Sequence, residues 1–286
     1  MTVDPAWVAL SLTRHLGGKT FRVLLSHFDD DPDAILRAKP TELRQVPGIG
    51  PKIAQAITEI DVERVQHHLQ RWAQSGVQAL NWHDPDYPPL LKQIKDAPPL
   101  LFLRGIGKSA HTERAFAVIG TREPSPIAAR IAAQITGTLV ENGHTIISGL
   151  ARGIDQIAHM NALADPQGRT LAVLGSGVLN VYPPEHRNLA QAVETRGAIL
   201  CEVAPDATVN AGGLVARNRI ITGICSGVVV VESEIDGGAM HAARFALAQG
   251  RKLYAVDLPA GGNQALIREN GAIPIAPQDT NLLMFQ

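Results

Sequence analysis

Nine residues, Ile147-Ser148-Gly149-Leu150-Ala151-Arg152-Gly153-Ile154-Asp155, carry the densest set of groups suited to gripping an anion. An apolar run precedes them and a helical pattern follows, so an arginine stands between two glycines where a strand hands over to a helix. Glycine lets the backbone approach a ligand closely. Free N–H groups at a helix start attract phosphate, and the arginine fork binds phosphate oxygens in pairs. A tight turn with a stray surface charge fits the same residues. Three further loops carry comparable groups: Gly120-Thr121-Arg122, Gly175-Ser176-Gly177 and Arg217-Asn218-Arg219. If these loops converge, Arg122, Arg152, Arg217 and Arg219 form a concentrated positive pocket. Each loop alone fits a purely steric role equally well.

Other chemistries find little footing. The first strand-to-helix turn reads GTREPSP, with prolines where a dinucleotide site needs G-x-G-x-x-G, so no dinucleotide cofactor is expected. The ten histidines show no HExxH spacing, and Cys201 and Cys225 form neither a CxxC pair nor a disulfide framework, so no metal is expected. No residue is assigned a catalytic role, and the protein is expected not to be an enzyme. Asp155 and His159, four apart on one helix, read as a structural pair supporting the loop. Glu232 and Glu234 end a strand and stand ready to shape the pocket or fix an arginine.

These loops need a scaffold, and the sequence provides for one. From residue 115 the pattern alternates strand and helix. The apolar runs AFAVIG (115–120), HTIISG (144–149), RTLAVLG (169–175), AILCEV (198–203), GVVVVES (227–233) and KLYAVDL (252–258) are marks of strands buried on both faces. The segments Pro126–Glu141, Asp155–Ala164, Arg219–Cys225 and Ala239–Ala248 have apolar residues at helical spacing. Such alternation predicts an α/β fold, a Rossmann-like, doubly wound and mostly parallel sheet over 115–286. Ligands of such sheets bind at the carboxyl ends of the strands, where the glycine-rich loops fall. Residues 81–114 are dense in proline and predict a connector that packs on this domain, with Leu100–Leu103 as a short strand.

Residues 1–80 predict a small all-helical domain. LRQVPGIGPKIAQAI (43–57) is a helix-hairpin-helix pattern in which Gly48 and Gly50 permit close approach to a phosphate and Lys52 adds charge. A hairpin kept only as a packing unit is the competing reading, and the nearby Asp29-Asp30-Asp31 run is unfavourable to nucleic acid. Composition neither supports nor opposes a nucleic-acid partner: the formal net charge is -1, which can hide a basic face. An aromatic content of 4% argues against a groove built mainly on stacking. No signal peptide or membrane-spanning run is evident, and a cytoplasmic location is expected.

Taken in order, DYPPLLKQIKDAPPLLFLRG (86–105), AVIGTREPSP (117–126), ISGLARGIDQIAH (147–159), LAVLGSGVLNVYPPEH (171–186), RNRIITGICSGVVVVES (217–233) and GGNQALIRENGA (261–272) resemble the DNA-processing protein A family, also called Smf. The helical region also resembles the small SAM-like domain that precedes the family's Rossmann-like domain. This resemblance implies a single-stranded DNA-binding protein that protects incoming DNA and helps load the RecA recombinase in natural transformation and homologous recombination. It also implies homodimers formed through the Rossmann-like domain. By motif match, Arg122, Gly149, Arg152, Gly153, Arg217 and Arg219 fall in the family's DNA-gripping pocket. The sequence departs from the pattern in three places. It ends at Gln286, so the winged-helix module of many members is expected to be lacking. Gly213-Leu214-Val215-Ala216 stands where a Phe-Pro usually precedes the RNR cluster, and Val256-Asp257-Leu258-Pro259 replaces Val-Pro-Gly. The alternative reading is a nucleotide-binding sensor or phosphoribohydrolase-like protein of the lysine-decarboxylase-like group. Against hydrolysis, Asp236-Gly237-Gly238-Ala239-Met240 lacks that group's Pro-Gly-Gly-x-Gly-Thr signature.

Overall fold

A computed structural model describes residues 3–106, 112 and 114–278 of the chain. Residues 107–111 and 113 of the expected connector, and residues 1–2 and 279–286 of the two flanking units, lie outside the described residues.

Residues 5–74 form short helices: α1 (Pro5–Ser11), α2 (Gly18–His27), α3 (Pro32–Arg37), α4 (Pro40–Leu43), α5 (Pro51–Thr58) and α6 (Val62–Gln74). Local sequence explains their starts. Proline occupies the first turn of α1, α3, α4 and α5, where its missing N–H leaves no bond unmade. Asp4, Asp31 and Asp61 accept hydrogen bonds from Ala6, Ala34 and Arg64 N–H as caps. The acidic run 29–31 is thus used locally. Asp31 caps α3, while Asp29 and Asp30 make the preceding turn at φ 53° and 58°.

Among the described residues nine strands make one sheet, in the order β1-β2-β6-β5-β4-β3-β7-β8-β9. They are β1 (Gln78–Asn81), β2 (Leu100–Gly105), β3 (Ala115–Ile119), β4 (Thr145–Ser148), β5 (Thr170–Val173), β6 (Ala198–Cys201), β7 (Gly227–Val230), β8 (Lys252–Val256) and β9 (Ile273–Ile275). The strands β3 to β9 run parallel, and β1 and β2 extend the β6 edge in antiparallel fashion. Between them lie α7 (Pro89–Lys92), α8 (Pro126–Glu141), α9 (Ile154–Ala164), a 3-10 turn at Pro184–His186, α10 (Arg187–Arg196), α11 (Ala211–Ala216), α12 (Asn218–Ile224), α13 (Gly238–Ala248) and α14 (Gly261–Arg268).

Alternation along β3 divides the core. Phe116 and Val118 join α8 and α9 on one face, and Ala115, Ala117 and Ile119 join α12 and α13 on the other. That second core continues without a break into the helical region, through Trp7, Phe21, Trp82 and Leu100–Leu103. The proline-rich segment is the joint. Proline keeps its carbonyl as an acceptor, and here Trp7 Nε1 donates to Pro99 O at 2.8 Å, while Trp82 Nε1 and Tyr87 OH both donate to Pro98 O, at 2.8 and 2.7 Å. Each indole and phenol therefore buries its apolar body without leaving its polar atom unpaired.

From β3 the chain steps outward through β4, β5 and β6, then returns to the other side of β3 for β7, β8 and β9. The loops after β3 and β7 therefore diverge, and this reversal opens a crevice at the carboxyl end of the sheet.

Candidate functional site

A cleft of about 410 Å3 fills that crevice. Its walls are the turn after β3 (Gly120, Thr121, Arg122), Ala151 and Asp155, the start of α12 (Arg217, Asn218), and the Ser233–Ala239 stretch that leads into α13. A second hollow, about 40 Å3, adjoins it and is bordered by Arg122, Gly149, Ala151, Arg152, Tyr182, Pro183, Leu214 and Arg217. Arg122, Ala151, Leu214 and Arg217 border both, so the two hollows form one continuous surface.

The loops that make it are fastened backbone to backbone. Gly153 adopts φ 75°, and a β-carbon there would lie 2.7 Å from the carbonyl of Arg122. Ile154 N–H donates to Thr121 O at 3.1 Å, and Thr121 N–H donates to Glu232 O at 2.8 Å. Strand ends β3, β4 and β7 are thereby locked in one arrangement, and Arg122 is held beside the Arg152 loop.

Asp155 props this loop from within. Its Oδ2 accepts from Gly149 N–H at 3.0 Å and Ala151 N–H at 3.4 Å, and lies 3.9 Å from Arg217 Nη2. Burial pushes the carboxyl above the ordinary aspartate value, opposed by Arg217 and the two N–H donors. Arg217 is only 7% exposed; its Nη1 donates to Val173 O at 2.7 Å and its guanidinium fills the space beside Gly149 where a side chain would stand. Burial lowers its pKa, and Asp155 counters this. The pair is a buried charge couple whose positive member faces both hollows.

The remaining predicted residues divide clearly. Arg122 is exposed on both hollows, and Asn218 borders the larger. Arg152 is 66% exposed and ion-paired with Glu185 at the smaller. Ser148 is buried as a strut, its Oγ donating to Val118 O at 2.7 Å. Gly120 leaves room for Ile154, which a β-carbon would approach to 2.6 Å. Gly175, Ser176 and Gly177 are buried beneath α11 and the 204–207 turn, with Gly177 N–H donating to Ala207 O at 2.9 Å. This third loop supplies close packing instead of open donors.

Arg219 points away from the crevice. It pairs with Glu202 and, at 3.4 Å, with Asp96 of the proline-rich segment. Successive helical residues turn by about 100°, so residues 217 and 219 face opposite ways. That signal was available in the sequence. Asp155 and His159 do not pair with each other: His159 turns to Thr170 Oγ1 at 2.7 Å, behind the loop. Among the described residues neither Glu232 nor Glu234 holds an arginine. Glu232 accepts from Ser125 N–H and Oγ–H, both at 2.7 Å, fixing the start of α8, and Glu234 accepts from Gly261 N–H at 3.3 Å. Sequence reasoning did not single out Tyr182, Glu185 and Leu214 as site residues, although Tyr182 and Glu185 lie in the family-like segment 171–186.

At the other end of the chain, Gly48 takes φ 90° in the turn between α4 and α5, Gly50 precedes α5 in extended conformation, and Lys52 lies exposed in the first turn. Among the described residues no cluster of His, Cys, Asp and Glu is placed to hold a metal ion, and no helix is long and apolar enough to cross a membrane.

The family model for DNA recombination-mediator protein A matches residues 78–284, and that for the helix-hairpin-helix motif matches residues 6–64. Protein Smf of Synechocystis sp. is 33% identical, over 95% of this chain and 74% of its own. DNA processing protein DprA of Bacillus subtilis is 30% identical, over 93% of this chain and 91% of its own. Among solved structures, DNA processing protein A from Streptococcus pneumoniae superposes with a TM-score of 0.81 at 27% identity, over 96% of this chain and 95% of that one. DNA processing protein A from Helicobacter pylori, described for its single-stranded DNA binding mode, superposes with a TM-score of 0.63 at 26% identity, over 70% and 90%.

Proposed function

The chain belongs to the DNA recombination-mediator protein A family, and from that premise we propose that it binds single-stranded DNA along the paired hollows at the carboxyl end of its sheet. The observation that carries this reading is the shared wall. Exposed Arg122 and buried Arg217 border both hollows, and Arg152 stands at the far rim, so cationic groups follow one another along an open surface. A strand laid there would meet a charge at successive phosphates. The single-stranded DNA bound by the Helicobacter pylori relative agrees with such a surface.

The reading is of a binder that catalyses no reaction. The carboxylates nearest the hollows are engaged in holding the scaffold: Asp155 by two loop N–H groups, Glu232 by Ser125 and Glu234 by Gly261. We extend to this chain the family's protection of the strand, its transfer to a RecA-type recombinase, and work as a homodimer. Gly48, Gly50 and Lys52 of the amino-terminal hairpin are proposed as an auxiliary phosphate contact.

A titration of fluorescent oligo-deoxythymidine at several salt concentrations tests the proposal. Affinity is expected to fall as salt rises, and Arg122→Glu is expected to weaken binding for every sequence and to flatten the salt dependence by about one contact. Equal affinity in wild type and Arg122→Glu, at matched thermal stability, overturns it.

A further inference from the structure

The chain holds few aromatic residues, and most of the described ones are buried. All three tryptophans lie in the core, as do Tyr87, Tyr254, Phe21, Phe102 and Phe116. Among the described Phe, Trp and Tyr side chains Tyr182 is the one that is exposed, at 39%, and it stands on the wall of the smaller hollow beside Arg122 and Arg152. No hydrogen bond among the described residues engages its hydroxyl.

The backbone that carries the ring is also held in place. Directly after it, the Pro184–His186 turn is fastened to the Arg152 loop twice: His186 Nδ1 bonds Leu150 O at 2.8 Å, and Glu185 pairs with Arg152. Leu150 itself is buried in a left-handed conformation (φ 59°) that aims its carbonyl at His186. The backbone that carries Tyr182 is therefore tied to the Arg152 loop although the two stand far apart in sequence.

We infer that Tyr182 is a stacking platform for one unpaired nucleobase, with Arg122 and Arg152 receiving the phosphates on either side. This rests on the single-strand reading proposed above. In this arrangement the base lies across the ring at the wall of the smaller hollow. Every base has a π-face, and such contact tells base from no base without telling one base from another. It also disfavours duplex DNA, whose bases are already stacked on each other. The low aromatic content thus does not remove stacking from this protein; it confines stacking to one position.

The test uses the full chain with two oligonucleotides of equal length and charge, one of deoxythymidine and one whose residues are abasic. Wild type is expected to bind the thymidine strand about 5- to 150-fold more tightly than the abasic one. Tyr182→Ala and Tyr182→Leu are expected to lose that preference by weakening only thymidine binding, with an unchanged salt slope, and Tyr182→Phe to keep it. Leucine retains apolar bulk and phenylalanine the ring, so a loss in the first and none in the second is not a folding effect. Wild-type binding whose base preference survives both Ala and Leu overturns the inference alone. Failure of wild type to bind either strand overturns the single-strand reading and the inference with it.

Discussion

Arg217 occupies with its guanidinium the space that a side chain on Gly149 would need. The glycine of the ISGLARGID loop is therefore a seat for a buried charge. Gly149→Ala must expel that guanidinium, breaking its bond to Val173 O and leaving Asp155 buried beside an uncompensated loop. A loss of about 2–4 kcal/mol is expected, combining overpacking with the disruption of a buried ion pair. Urea unfolding of the variant against wild type measures it; an unchanged midpoint would contradict the arrangement.

Arg152 reaches the site already paired with Glu185, and both side chains are well exposed. An exposed pair contributes little, so a phosphate can displace the carboxylate, but the glutamate still opposes an incoming anion. Its own backbone N–H and Arg152 hold the Glu185 carboxyl below the usual glutamate range, so it stays ionised at neutral pH. Glu185→Gln is expected to raise single-strand affinity by about two- to fivefold at low salt, with the gain shrinking at high salt. Fluorescence anisotropy at two salt concentrations decides it.

The second arginine of the RNR cluster gives the opposite expectation. Arg219 ties Glu202 of the strand edge to Asp96 of the proline-rich segment. Arg219→Ala leaves the half-buried Glu202 without its cation and should cost about 1–3 kcal/mol of stability. Oligonucleotide affinity should stay at the wild-type value at temperatures where the variant is folded. A large loss of affinity with normal stability would instead place Arg219 on the DNA.

These contrasts mark how far the sequence could be read. Strands β3, β4, β5, β7 and β8 were legible because burial on both faces makes them apolar runs, and helix α8 because its apolar residues recur at helical spacing. Helix α11 was not: AGGLVA has two glycines and little helix propensity, and what supports it is the Asn210 side chain capping Gly213 N–H and the packing of Leu214 on Gly175. Among the site residues, arginine-bearing turns stood out, yet the role of each depends on partners far away in sequence. Arg217 meets Asp155 across 62 positions and Arg219 meets Asp96 across more than a hundred. Glycines of a ligand loop and glycines of a packing joint also look identical in sequence, and only the neighbours of Gly177 show which it is.

Behind the Arg152 loop a buried histidine makes stability depend on pH. Thr170 Oγ–H donates to Ile146 O, so its oxygen must accept from His159, which fixes the neutral ring with the proton on Nδ1. The other nitrogen is buried without a partner. Burial depresses the His159 pKa to about 3, with Arg217 and His186 adding to the effect. The unfolded chain therefore takes up a proton near pH 6.5 that the folded chain refuses. Stability from this group is complete above that pH and declines on acidification towards about pH 3, by up to roughly 1.4 kcal/mol per pH unit. Burial lowers the His144 pKa as well, adding in the same direction. Urea unfolding at pH 7 and pH 5 should show His159 costing wild type about 2 kcal/mol, offset in part by the raised Asp155 carboxyl, whereas His159→Gln, which can still donate to Thr170 without titrating, should show a shallower decline. Parallel curves for the two proteins would mean that His159 is protonated in the folded state.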